Sequence, residues 1–147
     1  MNSNGDLRQI GNPAPPSRVT RSMLSHVSLG TNDAARAAAF YDPVLAVLGI
    51  RKLHERDGSI DYGTSIMFFS LEKPTDGRPA SVGNGVHVCF AAETRAMVDE
   101  FYRVALANGG TDAGPPGLRP KYDANYYGAF VRDPDGNKIE AVSFLAE

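Results

Sequence analysis

Two stretches of the chain share one hydrophobic rhythm. HVSLGTND, from His26, and HVCFAAET, from His87, each alternate through an apolar half-strand and then turn polar where a helix would begin. Asn32 and Asp33 are candidate N-caps for the first helix. Glu93 and Thr94 stand at that place in the second, with Thr94 the better cap. Phe40-Tyr41 lies 14 and 15 residues after His26, and Phe101-Tyr102 lies 14 and 15 after His87. Each helical stretch runs into glycine, Gly49 in one copy and Gly109-Gly110 in the other, as a helix stop requires. Pro43 falls inside the first helical pattern and predicts a kink or restart there.

Three short strand patterns follow each helix. The first copy offers 51–55, 59–62 and 65–71; the second offers one near Thr111, then 127–132 and 138–144. Asp133-Pro134-Asp135-Gly136 reads as the tight turn between the last two. The predicted fold is therefore α+β: paired βαβββ modules whose curved mixed sheets surround a central cleft, with the helices outside. Residues 1–22 form a polar, Pro-containing arm, module one spans 23–73, a Gly- and Pro-rich linker spans 74–84, and module two spans 85–147. A second long loop is expected over 114–125, a length at which loops are often functional.

Composition narrows the function classes. Lys plus Arg is 15 against Asp plus Glu 17, a net charge of −2, which gives no footprint for nucleic acid or an anionic membrane. No apolar run approaches the roughly 18 residues of a membrane span. The first 22 residues lack the apolar core of a secretory signal, and Cys89 is the one cysteine, so a reducing, cytoplasmic setting is expected. The arm reads either as a tail or as a segment that packs on a neighbouring subunit. The apolar helix AARAAAFY and the edge strands suggest a symmetric homodimer.

The repeat puts His26 and His87 at equivalent places on the first strands of the two copies. Glu140 lies in KIEAVSF among Ile139, Ala141 and Val142, an apolar setting in which a charge calls for a partner. Two histidines and a carboxylate on separate strands can form a facial set around a metal, with positions left for water or substrate. Taken singly, each has an ordinary reading: a hydrogen-bonding strand histidine, a solvated glutamate. Imidazole suits zinc, iron, nickel and copper, and oxygen ligands also admit manganese. His54 reads as surface, and Cys89, on the same strand face as His87, as a small core residue. Tyr122, Tyr126 and Tyr127 cluster with Arg119 and Lys121 beside the long loop, either as loop packing or as a wall and anion contact for a substrate. No phosphate loop, nucleophile elbow or cysteine pair for zinc is present.

LSHVSLGTND, Phe40-Tyr41 before LAVLGI, GVHVCF and FVRDPDGNKIEAV together resemble the vicinal oxygen chelate superfamily over residues 23–146. That superfamily includes glyoxalase I, extradiol dioxygenases, fosfomycin-resistance enzymes, methylmalonyl-CoA epimerase and bleomycin-resistance proteins. The resemblance implies one divalent metal ion (iron, manganese, zinc or nickel) held by His26, His87 and Glu140. It also implies a substrate bound through two adjacent oxygens. Tyr126 or Tyr127 could stand for the active-site tyrosine of the dioxygenases. Glyoxalase I uses a fourth ligand, a glutamate in the last strand of the first module; the matching position here is Phe68, give or take one residue, which argues against that activity.

Two functions follow. One is a metal-dependent dioxygenase, lyase or isomerase with Glu140, Tyr126 and Tyr127 in the chemistry and Phe68, Arg119 and Tyr122 against the substrate. The other is a metal-free protein that sequesters small molecules in an aromatic groove, in the manner of bleomycin resistance. Some members of this superfamily build each site from modules of two subunits.

Overall fold

The structure is a computed structural model and describes residues 24–147. The arm assigned to residues 1–22 lies outside the described residues. The first module runs β1 (Val27–Gly30), α1 (Ala34–Ala46), β2 (Arg51–Arg56), β3 (Ser59–Gly63) and β4 (Met67–Glu72). The second runs β5 (His87–Ala91), α2 (Arg95–Ala107), β6 (Thr111–Leu118), β7 (Tyr127–Arg132) and β8 (Lys138–Ser143). Each makes a four-stranded mixed sheet, ordered β1-β4-β3-β2 and β5-β8-β7-β6. In each the first strand pairs parallel with the last and the remaining pairs are antiparallel. The paired βαβββ fold expected from the sequence is what the chain adopts. No described helix is long and apolar enough to cross a membrane.

The helix ends follow their chemistry. The Asp33 side chain accepts the Arg36 amide at 2.9 Å, and Thr94 Oγ1 accepts the Met97 amide at 3.2 Å. Gly49 and Gly109 take φ of 72° and 97°, the left-handed geometry that ends each helix. The restart expected at Pro43 does not occur, because α1 continues through it as one helix. Val44 and Leu45, just beyond the proline, are fully buried, and burying two such side chains offsets its cost of about 3 kcal/mol. A second expectation is revised in the loop over 114–125. β6 takes up its first half, and Pro115 and Pro116 are tolerated because β6 is an edge strand with register shifts.

One apolar core spans both modules. Phe40, Tyr41, Val44 and Leu45 of α1, Val98 and Phe101 of α2, and inward residues of both sheets form a single buried cluster. The rings of Phe69 on β4 and Phe90 on β5 meet edge to face at 5.2 Å. Polar contacts bolt the modules as well, all through the turn between β7 and β8. Tyr41 donates its hydroxyl to Asp133 at 2.7 Å, and Asn137 donates to the carbonyl of Gly30 at 2.9 Å. Asp135 accepts from the Thr31 hydroxyl, the Asn32 amide and the Arg36 guanidinium. Burial pushes the Tyr41 phenol well above its ordinary pKa, with Asp133 adding to the shift, so it remains a donor.

Tyr41→Phe strips a buried carboxylate of one partner and should lower the unfolding free energy by about 1–3 kcal/mol. Arg36→Ala breaks an ion pair whose arginine is half exposed and should cost under about 1 kcal/mol. Urea titration of both variants checks the contrast, and equal losses would contradict it.

Candidate active site

Strand alternation decides which side chains meet. In the second sheet His87 stands opposite Lys138, Cys89 opposite Glu140, and Phe130 opposite Glu140. These residues therefore share one face, while Ile139, Ala141 and Val131 turn to the core. Glu140 lies on β8, flanked by β5 and β7, and has 0 % exposure. A carboxylate taken out of water costs several kcal/mol unless it is paired. Here Tyr126 donates its hydroxyl to Oε1, and His87 Nε2 lies 3.2 Å from Oε2. Gly128 makes room for this arrangement, since a Cβ there would sit 2.9 Å from Glu140 Oε1 and 3.1 Å from the Tyr126 ring.

The neighbours are tuned by the same burial. Desolvation and then the hydrogen bond to Glu140 raise the Tyr126 phenol, which stays protonated and donates. Desolvation, followed by the charge of Glu140, pushes the Cys89 thiol up to about 12. Cys89 is exposed as a residue and lies on the face of His87, so its assignment as a core residue is corrected. A neutral thiol at neutral pH makes it a poor nucleophile.

Beyond this group opens a cavity of about 530 Å³, whose walls include His87, Glu140, Arg119, Tyr122, Tyr126 and Phe130. The other expected residues lie elsewhere. His26 and Phe68 line a separate cavity of about 440 Å³ with Phe69, Val88, Cys89 and Phe90. Tyr127 turns to the opposite face, where its hydroxyl donates to Asp99 at 2.7 Å and Arg95 lies over its ring. Tyr126 and Tyr127 are adjacent, so alternation admits only one of them to the site.

The register also moves one assignment. Ser28, two residues after His26, stands opposite Ser70, just as Cys89, two after His87, stands opposite Glu140. The first-module counterpart of Glu140 is therefore Ser70 rather than Phe68, and it bears no carboxylate. Among the described residues no group of three or more His, Cys, Asp and Glu is placed to hold a metal. Within one chain, His87 and Glu140 fit part of such a site and His26 is apart from them.

The model of the Glyoxalase/Bleomycin resistance protein/Dioxygenase superfamily matches residues 23–141. The chain belongs to that superfamily. A crystal structure of a glyoxalase/bleomycin resistance protein from Albidiferax ferrireducens T118 is similar to it at 41% identity and a TM-score of 0.76, covering 83% of this chain and 98% of that one. A glyoxalase-related enzyme from Fulvimarina pelagi shares the fold at 18% identity and a TM-score of 0.67, over 84% of this chain and 88% of that one. A lactoylglutathione lyase from Agrobacterium tumefaciens shares it at 24% identity and a TM-score of 0.60, over 84% and 95%. Comparison with curated proteins finds no match.

In this member of the superfamily, three residues shape the site without having stood out in the sequence. Lys138 and Phe130 line the cavity, and Gly128 gives Glu140 its space. Counting two residues back from Glu140 along its strand would have found Lys138. Phe130 needed the pairing register, which sequence alone does not supply. Gly128→Ala should displace the Tyr126–Glu140 pair and lower stability by about 1–3 kcal/mol. Urea unfolding and tyrosine ultraviolet absorbance check this; an unchanged Tyr126 signal would contradict the close fit.

Proposed function

We propose that the protein is a divalent-metal-dependent enzyme acting on a small oxygenated substrate through two adjacent oxygens. His87 and Glu140 of one chain hold the metal together with His26 of a second copy. The observation that carries this reading is the fully buried Glu140 carboxylate, set 3.2 Å from an imidazole nitrogen at the wall of a cavity. A structural ion pair would more cheaply be apolar. An imidazole and a carboxylate suit zinc, iron, nickel or manganese. Such an ion, when bound, would stabilise negative charge developing on the substrate oxygens.

The chain's own residues have separable tasks. Tyr126 holds Oε1 and leaves Oε2 toward His87, and its protonated phenol keeps a proton at the site. The first sheet supports the shared arrangement. Its face equivalent to the site carries Ser28, Ser70 and Asp61, and Asp61 Oδ1 is buried without a hydrogen-bond partner. Such a face suits contact with the second sheet of another copy in a symmetric dimer. Ser70, at the position equivalent to Glu140, supplies no carboxylate, and the carboxylates that share its face, Asp61 and Glu72, are engaged by Arg56 and Ser59, which favours a dioxygenase, lyase or isomerase other than glyoxalase I. A second reading, a sequestering protein, is favoured by one observation: a single chain offers two donors beside an aromatic-walled cavity.

Glu140→Gln and His26→Ala should each bind divalent metal at least about tenfold more weakly while remaining folded. Co-expressing the two variants should restore metal to about a quarter of the sites, because half the dimers then contain one site with both halves intact. Metal content by mass spectrometry reads this out. Unchanged affinity in Glu140→Gln would remove the metal reading, and no recovery in mixed dimers would remove the shared site.

A further inference from the structure

The larger cavity has an unbalanced charge. Arg119, Lys121 and Lys138 line it together with His87, against a single carboxylate, Glu140. That carboxylate is already engaged by Tyr126 and His87. Among the described residues, none of the three cations has a carboxylate partner, whereas Arg36, Lys52, Arg56, Arg78 and Arg103 each face one. The chain as a whole has more acidic than basic residues, so composition does not force this cluster.

The cations are also arranged. The Arg119 guanidinium donates to the carbonyls of Pro115 at 2.7 Å and Leu118 at 3.4 Å, which fixes it without neutralising it. It lies 5.9 Å from the centre of the Phe130 ring, and Lys138 Nζ lies 4.7 Å from the same centre. Lys121 Nζ sits 4.9 Å from the Tyr122 ring. Ring faces attract cations but leave their charge uncompensated. Several like charges around a walled cavity raise the local concentration of anions, and a fixed guanidinium offers a fork for an oxyanion.

We infer that this cavity binds a small organic anion. A carboxylate or phosphate group is held by Arg119, Lys121 and Lys138, and its flat or apolar body lies against Phe130 and Tyr122. The inference rests on reading this cavity as the substrate site, and it names the substrate class as acidic.

Calorimetric titration of full-length, chelator-treated protein with benzoate, phenyl phosphate and neutral benzamide tests it. At least one of the two anions should bind about tenfold or more tightly than benzamide, and added salt should weaken that binding. The tighter anion identifies the group held. Arg119→Gln combined with Lys138→Gln should abolish the preference for the anion. Lys138→Arg, which keeps the charge, and Lys52→Gln, on a remote strand, should retain it. Equal binding of anion and amide, or an unchanged preference in the double variant, would overturn the inference. Anion binding that requires added metal, and is lost in Glu140→Gln but kept in the double variant, would also overturn it while leaving the metal reading in place. Anion binding by a protein that takes up no metal would support it and remove the metal reading.

Discussion

Glu140 places a carboxylate where water does not reach it, and the surrounding structure is organised to make that tolerable. Its two oxygens are met by different elements: Tyr126, just before β7, and His87 at the start of β5. Gly128 supplies the space, and the strand pairing brings all four together. A buried carboxylate with a single weak partner would be a liability of several kcal/mol. With a phenol on one oxygen and an imidazole on the other, both of its oxygens are met at the wall of a cavity.

Holding that carboxyl group in place depends on the second sheet, and the turn over 133–137 supports the sheet from behind. Asp133, Asp135 and Asn137 do not enter the cavity; they reach back to Tyr41, Thr31, Arg36 and Gly30 of the first module. The same strand, β8, therefore begins next to the intermodule bolt and carries Glu140 two residues beyond Lys138. Module docking and site geometry are coupled through this short stretch of chain.

Much of the fold was legible because the chain states it twice. Matching strand starts, caps and helix-ending glycines at His26 and His87 identify the modules without any knowledge of their packing. Glu140 was legible too, as a charge in an apolar strand. What pattern could not provide was register and face. Tyr126 and Tyr127 look equivalent in sequence, yet only one reaches Glu140. The counterpart of Glu140 depends on which residue of β4 pairs with Ser28, and it is Ser70 rather than Phe68. Pro43 does not break α1, and Pro115-Pro116 do not keep β6 from forming, for a related reason: burial in one case and an edge position in the other outweigh local preference. The repeat makes His26 and His87 equivalent in their modules without placing them together in space.

The proposed metal site is tested most directly by an anomalous difference map from crystals of the protein grown with manganese or zinc. A peak is expected within bonding reach of His87 Nε2 and Glu140 Oε2 of one protomer and the imidazole of His26 from another. A peak that leaves Glu140 untouched, or no peak in crystals where His26 of one protomer stands against His87 and Glu140 of another, would contradict it.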